Sequence, residues 1–145
     1  MNDNPNATAN AKKHILFSLK LAAAMIGAGL LLSLARKQGW VDGELVQRAI
    51  GVVIGLGLAA YGNAMPKMLY GPPSLSIQHA TLAQALARVS GWTMTLAFLA
   101  WAALWAFAPQ DLLVFASLAV VGASSAIILG YTVWKYIACR TSRSD

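Results

Sequence analysis

Side chains able to do chemistry are few in this chain of 145 residues, and they are badly placed for it. The single cysteine, Cys139, has no partner for an internal disulfide, and two histidines supply no metal-ligand spacing. Five carboxylates are present, Asp3, Asp42, Glu44, Asp111 and Asp145, and all fall outside the long apolar segments. Proton-coupled carriers rely on an ionisable group at membrane depth, so a small exporter mechanism lacks its central residue. Ser124 and Ser125 stand in the middle of an apolar run with no base nearby in sequence. They are expected to bond back to their own helix or across to a neighbour. The stretch GVVIGLG, residues 51–57, is no phosphate loop, because it lies inside an apolar helix where glycine serves packing. No catalytic, cofactor-binding or metal-binding residues are therefore assigned, and the chain does not read as an enzyme.

The elements around these residues are those of a membrane protein. Hydrophobic residues make up 58% of the chain and charged ones 11%, against the roughly one quarter that is usual in soluble domains. A soluble fold could not cover that much apolar surface. Crossing a hydrocarbon core of about 30 Å takes roughly 20 helical residues. Four runs qualify: about Ile15 to Ala35, Val46 to Met65, Arg88 to Ala108, and Leu112 to Trp134. Backbone groups in lipid must be satisfied within their own segment, so each run is expected as a helix, and a strand barrel is excluded by the length of the runs. The expected fold is all-α and polytopic, a single four-helix transmembrane domain over 15–138. It is flanked by a polar, Asn-rich tail (1–14), expected to be disordered in the cytoplasm, and a short basic tail (139–145). A signal peptide is the competing reading of the start, with Lys12 and Lys13 as its basic part and Ser33-Leu34-Ala35 as its cleavage site, but its apolar stretch is too long.

Basic residues set the orientation, since Lys and Arg are retained on the cytoplasmic side. With the amino terminus inside, Lys12, Lys13, Lys20, Lys67, Arg88, Lys135, Arg140 and Arg143 lie inside, against Arg36, Lys37 and Arg48 outside. Both termini are thus expected in the cytoplasm, the default location being a bacterial inner membrane. The net charge of +6 reads as an orientation signal and an attraction to the anionic lipid bilayer, not as nucleic-acid binding, because the charges are scattered. Lys20 and Arg48, the charges within spans, lie near helix ends and are expected to snorkel. Asp42 and Asp111 are placed to accept amide hydrogens at the starts of the second and fourth helices. Trp40, Trp105, Trp92, Trp134 and Tyr136 are expected as interface anchors, while Phe98, Trp101 and Trp105 share a face of the third helix suited to packing.

The longest connection, about 67–87, contains SLSIQHATLAQALARV, with Leu75, Leu82, Leu86 and Val89 on one helical face and Gln78, Gln84 and Arg88 mostly elsewhere. An amphipathic cytoplasmic segment between the second and third spans is expected, lying on lipid or docking a partner protein. His79 within it reads as a solvated side chain. Just upstream, AYGNAMPKMLYGPP ends the second span. Pro66 lacks an amide hydrogen, so the Gly62 carbonyl loses its helical partner. Asn63 stands beside that carbonyl, able to satisfy it or to reach another helix, and Lys67 meets the interface.

The GNAMPK ending of a glycine-rich span, followed by a cytoplasmic loop and RVSGW opening the next span, resembles the bacterial SdpI-like membrane proteins over about residues 50–105. The loop MLYGPPSLSIQHATL departs from that family's motif after the proline. The resemblance implies an immunity or signal-receptor protein that binds a toxin or a regulator at the membrane. Gly62, Asn63, Pro66, Lys67, Arg88 and Gly91 are the positions that match, in roles as much architectural as functional.

Packing is legible in the small residues. Gly51 and Gly55 make a small-xxx-small pair extended by Gly57 and Gly62, and Gly122, Ala126 and Gly130 repeat the spacing on the fourth helix, for contacts within the chain or with another copy of itself. Two functional classes remain. One is a binding or accessory protein of a larger membrane complex. The other is an oligomeric carrier or channel that lines a path with Tyr61, Asn63 and the serines. The missing acid at depth favours the first.

Overall fold

The computed structural model describes the backbone of residues 5–68 and 77–141 and the side chains of residues 12–67 and 81–138. Within these, four helices follow one another: α1 (Pro5–Lys37), α2 (Gly43–Met68), α3 (Ile77–Phe107) and α4 (Gln110–Thr141). Each contains a stretch long and apolar enough to cross a membrane. Leu75, Arg143 and the carboxylates Asp3 and Asp145, and the side chains of Gln78, His79, Cys139 and Arg140, lie outside the described residues.

The helices outrun the expected spans. At about 1.5 Å per residue the 33 residues of α1 extend about 50 Å, well beyond a hydrocarbon core of about 30 Å. Its start at Pro5 instead of Ile15 has a local cause: proline is well tolerated in a first helical turn, and the Asn, Ala and Lys residues that follow carry no helix breaker. A polar extension of an apolar helix costs little once nucleation is complete. Likewise α2 runs through Pro66 to Met68, because a proline in the last turn displaces a single backbone bond. The amphipathic stretch before the third span is not a separate element; from Ile77 it is the first part of α3. There Leu82, Leu86 and Val89 are half-buried, while Gln84 and Arg88 are exposed, as their periodicity requires.

The two tight connections are capped by the backbone. Gly39 has φ +74°, and the N–H groups of Gly39 and Trp40 donate to the carbonyls of Arg36 and Ala35. This 5→2 and 6→1 pair ends α1 at a residue that only glycine occupies without strain. At the start of α2 the Asp42 carbonyl accepts the Val46 N–H, and at the start of α4 the Pro109 carbonyl accepts that of Leu112. Asp42 and Asp111 thus stand where the helix dipole favours negative charge, but neither carboxylate accepts an amide hydrogen among the described residues; the bonds at these ends are the helices' own backbone bonds.

Packing proceeds in chain order: α1 lies on α2, α2 on α3, and α3 on α4, with α2–α3 much the most extensive contact. Among the described residues α1 and α4 do not meet, so the helices form an open row, not a closed bundle. The α2–α3 seam is antiparallel and close. A Cβ placed on Gly51 would fall inside the Trp105 indole, and one on Gly55 would come within 2.9 Å of the Ala102 Cβ and 3.0 Å of the Phe98 carbonyl oxygen. Buried Ala59 and Gly62 continue the same face, one helical turn after another. Gly57 departs from the expected smooth surface: it faces the other way and receives the Met25 sulfur of α1.

The expected packing stripe of α4 does not take part in these contacts. Gly122 and Gly130 have open space where a side chain would be, and Ala126 between them is exposed. Helix α4 instead meets its neighbour through Leu113 and Ser117, both buried, on the opposite side. Substitution should separate the two sets of glycines. Gly51→Ala is expected to destabilise the protein by about 1 to 3 kcal/mol through overpacking against Trp105. Gly122→Ala should be neutral or stabilising by up to about 1 kcal/mol, since alanine is the better helix former. Unfolding in mixed detergent micelles, followed by helical circular dichroism, measures both.

Candidate functional site

The residues singled out at the end of α2 come together only in part. Gly62, Pro66 and Gly91 form one contact. A Cβ on Gly91 would lie 2.8 Å from the Pro66 Cδ and Cγ and 2.9 Å from the Gly62 carbonyl oxygen. A Cβ on Gly62 would lie 3.1 Å from the Met94 Cβ and from the Thr95 backbone nitrogen and Oγ1. The carbonyl that Pro66 deprives of its helical donor therefore rests against the glycine backbone of α3. Asn63 does not reach it: its side chain is exposed and makes no hydrogen bond among the described residues. Lys67 and Arg88 are exposed as well, on the outside of this contact. Thr95 closes the seam from within, its Oγ1 donating to the Gly91 carbonyl at 2.7 Å with the Ala59 carbonyl at 3.4 Å.

A second constellation lies at the opposite end of the seam, where both short connections meet. Arg48 is half-buried there. Its Nε donates to the Glu44 Oε1 at 3.1 Å, and its Nη1 donates to the Ala108 carbonyl at 2.9 Å, just past the end of α3. It does not snorkel as a lone charge; it ties the start of α2 to the α3–α4 connection. Two features explain this. The Glu44–Arg48 spacing of four places the pair on one face, and the Ala108 carbonyl stands at the negative end of a helix dipole. The first signal is readable in the sequence, whereas the second needs the antiparallel register.

Beside Arg48, Trp101 and Trp105 stack with centroids 6.2 Å apart and planes inclined by 29°. The face shared by Phe98, Trp101 and Trp105 is thus a packing face, Trp105 filling the hollow that Gly51 leaves. The indole pair separates two open cavities. One, of about 440 Å³, is walled by Arg48, Trp101, Trp105, Ser117, Leu118 and Val121 between α3 and α4. The other, of about 810 Å³, lies toward α1 and is bordered by Arg36, Glu44 and Gly51. Trp40, Trp92, Trp134 and Tyr136 are exposed, and the Lys135 Nζ lies 5.3 Å above the Trp134 ring and 6.0 Å above that of Tyr131. Ser124 and Thr132 donate to the carbonyls of Val121 and Ile128 on their own helix, as a hydroxyl in an apolar segment should.

No protein-family model matches the chain, and no characterised protein or solved structure is significantly similar to it.

Removing the Arg48 guanidinium strands the Ala108 carbonyl. Arg48→Met is expected to cost about 1 to 2 kcal/mol, and Glu44→Gln less than about 1 kcal/mol, because the ion pair is largely exposed. At the other end Gly91→Ala should cost about 1 to 3 kcal/mol, against no more than about 0.5 kcal/mol for exposed Asn63→Leu. Thermal unfolding of the four variants in one detergent checks this order; an Asn63 effect as large as that of Gly91 would show that its amide has a structural partner.

Proposed function

We propose that the protein is a small multi-pass component of the bacterial inner membrane that acts by binding, as an accessory subunit or an immunity or receptor component of the SdpI-like kind, without catalysing a reaction. The observation that carries this reading is the α2–α3 seam. The two helices are in close contact at Gly51, Gly55, Gly62 and Gly91, a fit that suits fixed packing better than a solute path between them. Supporting it, the described carboxylates Asp42, Glu44 and Asp111 all lie at helix starts, away from the depth at which an ion-coupling acid acts. The flanking faces of α1 and α4, rich in exposed Leu, Ile and Val, are free for lipid or for another membrane protein. Both termini lie in the cytoplasm, following the distribution of Lys and Arg.

Three measurements test it together. The protein should stay with membranes after alkaline carbonate extraction, and single-cysteine labels near each terminus should react only once the membrane is opened. Reconstituted vesicles should pass ions and small organic cations no faster than empty ones. Flux that scales with protein content would instead establish the oligomeric carrier or channel, and labels reacting on opposite faces would overturn the orientation.

A further inference from the structure

The seam turns one flank of the α2–α3 pair into an ordered surface. Successive residues of a helix advance by about 100° in one sense, and in antiparallel neighbours that turn leads away from the contact toward the same side. On α2, Leu56, Asn63 and Lys67 each follow a seam residue, Gly55, Gly62 and Pro66, by one position. On α3, Trp92 and Leu99 follow Gly91 and Phe98 by one, and Arg88, three before Gly91, is turned the same way by about 60°. All six are exposed, so they share one flank. The contact of Pro66 with Gly91 also fixes their heights. Lys67 stands level with Ser90, and Arg88 lies only about 3 Å further along the axis, so at a helix separation of about 8 to 10 Å the two cations stand side by side. Neither has a hydrogen-bond or ion-pair partner among the described residues, nor has Asn63. No Asp or Glu occurs between Glu44 and Asp111, so the chain offers the pair no carboxylate from either helix at this end. Two like charges held together without a counter-charge favour an anion between them.

We infer that this flank binds an anionic phospholipid, one molecule per chain, with its phosphate between Lys67 and Arg88. Depth and order along the flank favour a lipid over an acidic protein segment. About 20 residues, or about 30 Å, separate Arg88 from Ala108, so the two cations lie one hydrocarbon thickness away from the Arg48 contact at the other end. That is the level of lipid phosphates. One helical turn deeper, by about 6 Å, come the indole of Trp92 and the amide of Asn63. An amphipathic ring suits that level, and the amide can donate to an ester oxygen there. Leu56 and Leu99 follow at about 16 Å from the cations, the depth of one leaflet. The head, glycerol and chains of a diacyl lipid thus meet cations, amide and apolar groups in that order. Charge sets the class of head. A phosphodiester with one negative charge complements the pair, whereas a choline or ethanolamine head brings its own cation up to Lys67 and Arg88 and is disfavoured.

The inference rests on the membrane reading above, and the test separates the two. The full chain is reconstituted into nanodiscs of equal parts phosphatidylglycerol and phosphatidylcholine, and the lipid it retains on release is identified by native mass spectrometry. Failure to enter the discs would reject the membrane reading and the site with it. For a chain that enters, a single phosphatidylglycerol is expected to be retained about 25 times as often as phosphatidylcholine, about fivefold for each basic residue beside an anionic lipid. Lys67→Gln and Arg88→Gln should each lower that preference about fivefold, the double variant should abolish it, and Lys67→Arg should keep it. Lys12→Gln with Lys13→Gln, which removes two cations of α1 at the same end, should leave it unchanged. All these positions are exposed, so helical circular dichroism should not change. Equal retention of the two lipids by the unaltered chain would overturn the proposal whatever the variants do. A preference lowered as much by the Lys12 and Lys13 changes would mean general attraction of basic groups to the bilayer, and would also overturn it. Equal retention together with an acidic protein that co-purifies with the unaltered chain and is lost from the double variant would give the flank to a protein partner instead.

Discussion

Close approach of two helix backbones organises this molecule. Lipid tails are as apolar as leucine, so helices in a bilayer gain little by burying large apolar side chains and associate through van der Waals fit instead. Along α2 the small residues Gly51, Gly55, Ala59 and Gly62 recur on one face, with Pro66 at its end, and α3 answers with Trp105, Ala102, Thr95 and Gly91. The register set by this seam then determines the rest. It brings the Ala108 carbonyl to Arg48 at one end and seats the Gly62 carbonyl against Gly91 at the other. The outer helices attach to this pair and not to one another.

Segment number and type were legible in the sequence because they depend on local composition. Apolar runs of about 20 residues leave the chain one way to satisfy its backbone in lipid, and four helices long enough to span follow. Element ends were less legible. Neither the polar start of α1 nor the Pro66 turn carries a signal strong enough to stop a helix already propagating, so Pro5 and Met68 extend the outer bounds. The glycines show the same division between local and long-range information. Spacing alone identified Gly51, Gly55 and Gly62, but the same pattern in Gly122, Ala126 and Gly130 faces outward, because a small-residue motif states that a close contact is permitted and not what makes it.

The candidate sites divide in a similar way. Of the six positions singled out by the resemblance, Gly62, Pro66 and Gly91 meet, whereas Asn63, Lys67 and Arg88 lie outside that contact. Asn63 is one residue after Gly62 and so about 100° away around the helix, which turns it from the seam. Arg48 was read as a lone charge near a helix end. Its partner carbonyl is sixty positions away and becomes visible only once α2 and α3 are in register.

The open row of helices also bears on biosynthesis. Each helix packs against the one made immediately before it, and no described contact links the first helix to the last. The seam needs nothing from α4, so it can form while the ribosome is still extending the chain. In a bilayer such an order would avoid holding an early helix unpaired until a distant one emerges.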